Sequence, residues 1–121
     1  MTLGRTRWAI AEGWIPSGGT GPEPLQSHET ACMLNAGDAD AHVELTLYFP
    51  DREPVGPYRV VVPARRTLHL RFDRLEDPAP VPRDAPYASV ITSDVPIVVQ
   101  HTRLDSRQAA NAIMTTVAWA G

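Results

Sequence analysis

Apolar and polar side chains alternate over long stretches of this chain, and the alternation divides it into strands. From Ala41 to Phe49, Val43, Leu45, Leu47 and Phe49 take one phase, and His42, Glu44, Thr46 and Tyr48 take the other. That is the period of a strand with one buried face. Thr67 to Phe72 repeats it, with Leu68, Leu70 and Phe72 expected inward and Thr67, His69 and Arg71 outward. Further strands are expected at Arg7 to Glu12, Ser27 to Leu34, Tyr58 to Val62 and Tyr87 to Ser93. The stretch Val95 to Gln108 opens on Val95, Ile97, Val98 and Val99, β-branched residues that read as a buried strand. It closes on polar groups, and the expectation is that it carries His101 and Arg103 out of the core and delivers Asp105, Ser106 and Arg107 to a turn.

Turn chemistry separates these runs. Asn35 to Asp40 supplies the Asn, Gly and Asp that tight turns favour, while Pro50 to Pro57 and Pro63 to Arg66 read as further turns. Ile15 to Pro24 reads as a loop without regular structure, and Glu76 to Pro86 as a long Pro-rich connection. The last segment is ambiguous. Asp105 with Gln108 resembles a helix capping box and Ala109, Ala112, Ile113, Thr116 and Val117 have helical spacing, but Thr115, Thr116, Val117 and Trp119 are strand formers. A turn over Asp105 to Asn111 followed by a strand is the reading adopted. The chain has twelve prolines, spread mostly between the apolar runs, a distribution that helices do not tolerate and short strands accept. The fold class is therefore all-β: an antiparallel sandwich or jelly roll of about eight short strands, in one domain spanning 1–121.

Composition narrows the function. The formal charge is −3, which gives no general affinity for nucleic acid or anionic lipid, since both need clustered positive charge. All eleven basic residues are Arg, so every fixed positive group is a planar fork suited to carboxylates or phosphates. A single cysteine, Cys32, makes no internal disulfide and favours a reducing compartment. The longest apolar run near the start, Trp8 to Ala11, is too short for a signal core or a membrane span. A cytoplasmic protein without membrane insertion is expected.

Candidate chemistry is sparse. Ser17 to Gly21 is rich in glycine, but the GK[ST] ending and helix of a phosphate-binding loop are missing. His28, His42, His69 and His101 fall on four separate strands without ligand spacing, so no metal site is expected. A cupin would need closely spaced His and Glu on one strand. Ser27, His28 and Glu29 are adjacent and point to alternate faces, which excludes a triad among them. No GxSxG elbow is present, and Cys32 between Ala31 and Met33 reads as a small apolar residue. Glu29 and Glu44 read as solvated charges. Arg65, Arg66, Arg71 and Arg74 form a local positive patch, but Asp73, Glu76 and Asp77 adjoin it, so internal ion pairing is expected. Trp14 beside the glycine-rich loop is a candidate exposed aromatic, fit for a subunit interface or a sugar-stacking platform. Trp8 and Trp119 are expected in the core. No catalytic residue, cofactor or metal emerges.

Several motifs in order do carry a resemblance: WAIAEG at Trp8 to Gly13, GPEP at Gly21 to Pro24, SHET at Ser27 to Thr30, LNAGD at Leu34 to Asp38, EPVGPYR at Glu53 to Arg59, VPARRT at Val62 to Thr67, DPAP at Asp77 to Pro80 and VPIVVQHTRLDSRQ at Val95 to Gln108. Together they resemble the sensory rhodopsin transducer family. The resemblance implies an all-β sandwich of jelly-roll type, a homotetramer in the cytoplasm, and a non-enzymatic relay of signal from a seven-helix retinal photosensor in the membrane. A small-molecule-binding role has also been inferred for the family, through likeness to carbohydrate-binding sandwiches. On the first reading His101, Arg103, Asp105 and Arg107 form a subunit or partner surface. On the second those groups, with His69 or Arg71, line a sugar or small-ligand pocket on which Trp14 stacks.

Overall fold

A computed structural model describes residues 2–19, 22–108, 110 and 112–121. Its strands are β1 (Arg5–Gly13), β2 (His28–Asn35), β3 (Ala41–Tyr48), β4 (Val55–Val62), β5 (Arg66–Arg71), β6 (Tyr87–Asp105), β7 (Ala112–Val117) and β8 (Trp119–Ala120), with single 3-10 turns at Glu23–Leu25 and Phe72–Arg74. All pairings are antiparallel. The all-β sandwich expected from alternation is what forms.

The molecule is organised around β6. This strand runs 19 residues, and its two halves belong to different layers. Residues 87–93 lie between β1 and β3, in a layer ordered β4-β3-β6-β1-β8. Residues 98–105 lie between β2 and β7, in a layer ordered β5-β2-β6-β7. Side chains from both layers share one core: Trp8, Ile10, Val43, Leu45 and Ile91 from the first pack with Ala31, Met33 and Val99 from the second. The crossover is fixed by the Trp8 indole, whose Nε1 donates to the Ile97 carbonyl at 3.1 Å. Gly4 sits against the same peptide with φ of +102°, and a Cβ there would fall 2.2 Å from the Ile97 oxygen.

Several expectations are corrected. Tyr87 to Ser93 and Val95 onward are one strand, because Asp94 does not break the run. Its carboxylate reaches sideways, accepting from the His42 backbone N–H at 2.8 Å and contacting the His42 ring at 2.9 Å. The turn after β3 is shorter than Pro50 to Pro57, since β4 begins at Val55. Phe72 leaves the strand register for a 3-10 turn yet remains buried, and the Ile15 to Pro24 loop runs into a 3-10 turn at Glu23–Leu25. Residues 112–117 resolve the helix-or-strand ambiguity as strand β7. Of the turn expected over Asp105 to Asn111, Ala109 and Asn111 lie outside the described residues. Trp8 packs in the core as expected, but Trp119 is exposed on β8.

Candidate functional site

The inward phase of β6 runs Ile97, Val99, His101, Arg103, and that of β2 runs Glu29, Ala31, Met33. Register places Glu29 opposite Arg103 and Ala31 opposite His101. Strand geometry therefore turns a carboxylate, an imidazole and a guanidinium toward the same end of the sandwich interior. His101 and Arg103 do not leave the core, and Glu29 is fully buried rather than solvated. The expectation of an outward polar row fails because the parity set by Ile97 and Val99 persists to Arg103.

Glu29 is the hub. Its Oε1 accepts from the Tyr87 hydroxyl at 3.0 Å and from His101 Nε2 at 2.9 Å. Its Oε2 accepts from the Trp14 backbone N–H at 2.7 Å and from Arg103 Nε at 2.8 Å. Tyr87 reaches it because Gly13 has no side chain: a Cβ there would lie 2.6 Å from the Tyr87 ring. Burial opposes the charged form of Glu29. The bonds from His101 and the Trp14 N–H, with the Arg103 charge, outweigh it and hold the carboxyl below its ordinary value. Burial, then the Glu29 charge, pushes the Tyr87 phenol far above its ordinary value. A carboxylate only accepts, so Nε2 carries the His101 proton and Nδ1 is an acceptor in the neutral ring. Arg103 also grips Glu12 of β1, whose side chain is 69% exposed.

Two cavities flank this network. One, of about 340 Å³, opens beneath β7 and is lined by Glu12, His101, Arg103, Met114, Thr115 and Thr116. The other is a groove of similar volume, whose lining includes Glu12, Gly13, Trp14, Tyr48, Phe49 and Tyr87. Trp14 is half-buried there.

The remaining sequence-selected residues lie elsewhere. Asp105 and Arg107 form their own exposed ion pair at 2.7 Å, and Arg103 pairs with Glu29 and Glu12 instead of Asp105. His69 is exposed on β5 directly across from Cys32, in a shallow depression on the outer face of the second layer. Cys32 points to that face, contacting Thr102. Arg71 borders the same depression, but its side chain is only 11% exposed and is gripped by Asp73 through two hydrogen bonds. Arg74 pairs with Glu23 and Arg65 with Asp38, the internal pairing expected for this patch. Among the described residues no group of three or more His, Cys, Asp or Glu is placed to hold a metal, and no helix is long and apolar enough to cross a membrane.

The sequence profile described as Anabaena sensory rhodopsin transducer matches residues 3–120. The chain belongs to this transducer family. A solved structure of the Anabaena sensory rhodopsin transducer is 66% identical, covering 84% of this chain and 99% of its own, with a TM-score of 0.76. A crystal structure of Thermotoga maritima 1070 is 35% identical, covers 99% of this chain and 97% of its own, and superposes with a TM-score of 0.89. No curated protein matches the sequence. In this member of the transducer family, the residues that sequence reasoning missed are Glu29, Tyr87 and Glu12. Parity was the signal for the first: counting back from Met33 and Ala31 puts Glu29 on the core face.

Proposed function

We propose that this protein is a soluble, non-enzymatic adaptor that relays the state of a membrane sensory rhodopsin through protein contacts, as a homotetramer on the cytoplasmic side. The observation that carries this reading is the edge of the second layer. Ile113, Met114 and Val117 are 71, 64 and 67% exposed along β7, and β7 pairs only with β6 among the described residues. An unpaired edge bearing large apolar side chains on both faces favours association. The likeness to the Anabaena sensory rhodopsin transducer supports a rhodopsin as the partner. The test has two arms. Sedimentation equilibrium should give a tetramer that Ile113→Glu with Val117→Arg breaks into smaller species with unchanged circular dichroism; an unchanged mass would count against this edge. A detergent-solubilised sensory rhodopsin from the source organism should retain the wild type on a pull-down, and absence of retention would defeat the adaptor reading.

A second reading, a carbohydrate binder, is favoured by the groove lined by Trp14, Tyr48 and Phe49, with Glu12 also among its lining residues. Aromatic faces stack on sugar rings and a carboxylate accepts from hydroxyls. A sugar panel followed by thermal shift tests it: stabilisation lost in Tyr48→Ala supports the groove, and no stabilisation by any sugar removes it.

A further inference from the structure

Arg103 in the cavity beneath β7 is half of a recognition pair whose other half is supplied by the protein itself. Its Nε and Nη2 are held by the buried Glu29, at 2.8 and 2.7 Å, which fixes the plane and direction of the guanidinium. Nη2 also donates to Glu12. Among the described residues Nη1 of Arg103 and Nδ1 of His101 have no hydrogen-bond partner. Glu12 is a different kind of partner from Glu29: its side chain is 69% exposed, so its carboxylate can return to water at small cost. Beyond it the cavity is lined by Met114, Thr115 and Thr116, with the Thr115 hydroxyl taken up by Gln100, Thr102 and the His101 carbonyl.

From this arrangement we infer that the cavity is a binding site for small aliphatic monocarboxylates, with Glu12 standing in the place of the ligand's carboxylate. Replacing one carboxylate by another leaves the charge of the site unchanged. A planar fork held from behind accepts the incoming group in bidentate fashion through Nη1 and Nη2, and the aliphatic tail lies against Met114. The volume of about 340 Å³ lies within the range of small-molecule sites and accommodates short chains. The inference concerns a different cavity from the aromatic groove, and it shares Met114 with the β7 edge that the adaptor reading assigns to association.

The test is a titration of the full-length protein with butyrate, with butyramide and sodium chloride as controls, followed by amide NMR shifts. Butyrate should saturate, with the largest shifts at Arg103 and Met114, and butyramide should not. Glu12→Gln removes the internal competitor from an exposed position and should tighten butyrate binding about tenfold. Thr116→Glu, also exposed, places a new carboxylate at the cavity and should weaken it at least tenfold. Equal response to butyrate and butyramide, no saturation in either the wild type or Glu12→Gln, or a Glu12→Gln protein that binds no tighter would overturn the assignment.

Discussion

At the scale of single residues, Glu29 is the centre of the buried polar network. Four donors converge on its two oxygens, so Glu29→Gln leaves the Arg103 charge without its buried counterion. Chemical denaturation should register a loss of about 3–5 kcal/mol, the cost of breaking a buried ion pair from one side. Tyr87→Phe deletes a single donor and should lose about 1–2 kcal/mol; a larger loss would mean that the hydroxyl also orders its neighbours. These residues were legible in the sequence as polar groups inside apolar strands. Their direction follows the parity set by Ile97, Val99, Ala31 and Met33, against the general tendency of a charged strand residue to be solvated. Tyr87 lies 58 residues from Glu29 in sequence, and no local pattern joins them.

At the scale of elements, β6 depends on its crossover, and the crossover depends on Gly4. Because φ at Gly4 is +102° and the space is filled by the Ile97 carbonyl, Gly4→Ala should destabilise by more than about 1 kcal/mol. The NMR signature should be loss of the Trp8 indole hydrogen bond to Ile97, and an unchanged indole proton resonance would argue that the crossover is held by other contacts. Strands with one buried face, such as β3 and β5, were legible because their alternation survives intact. The continuity of β6 was not. Asp94 divides the expected strands Tyr87 to Ser93 and Val95 onward, yet it and Pro96 fall where the strand passes from one layer to the other: Ser93 is the last residue paired with β3, Val98 is the first paired with β2, and a proline between ladders sacrifices no hydrogen bond there. Trp119 is expected in the core because tryptophan usually packs; its place on a two-residue edge strand carries no signature in composition.

At the scale of the whole molecule, titration sets a stability plateau. Glu29 and Asp73 are both partly or fully buried, and burial alone would raise their carboxyls; for Asp73 the Arg71 hydrogen bond and charge, with Arg83, reverse this as the Glu29 network does. Groups held below their ordinary values of 4.5 and 3.8 stabilise the fold above those values and lose that contribution as pH falls through the folded ones. Tyr87 works in the opposite sense. Its raised phenol stays neutral in the fold while the unfolded chain ionises above the ordinary 10.0, so stability falls again on the alkaline side. Melting temperature against pH should show a plateau with an acid limb beginning near 4.5 and an alkaline limb beginning near 10. Glu29→Gln should flatten the first and Tyr87→Phe the second. The shared strand has a temporal counterpart. β1, β2 and β3 each pair with residues 87–105, and the ladders available before then are β3 with β4 and β2 with β5. During synthesis the first 86 residues thus hold two isolated strand pairs, marginal on their own in water, and neither layer can close until β6 leaves the ribosome. Folding of this chain is a late and collective event, dominated by distant contacts, and nascent chains arrested before residue 105 should remain open to protease where the released protein resists it.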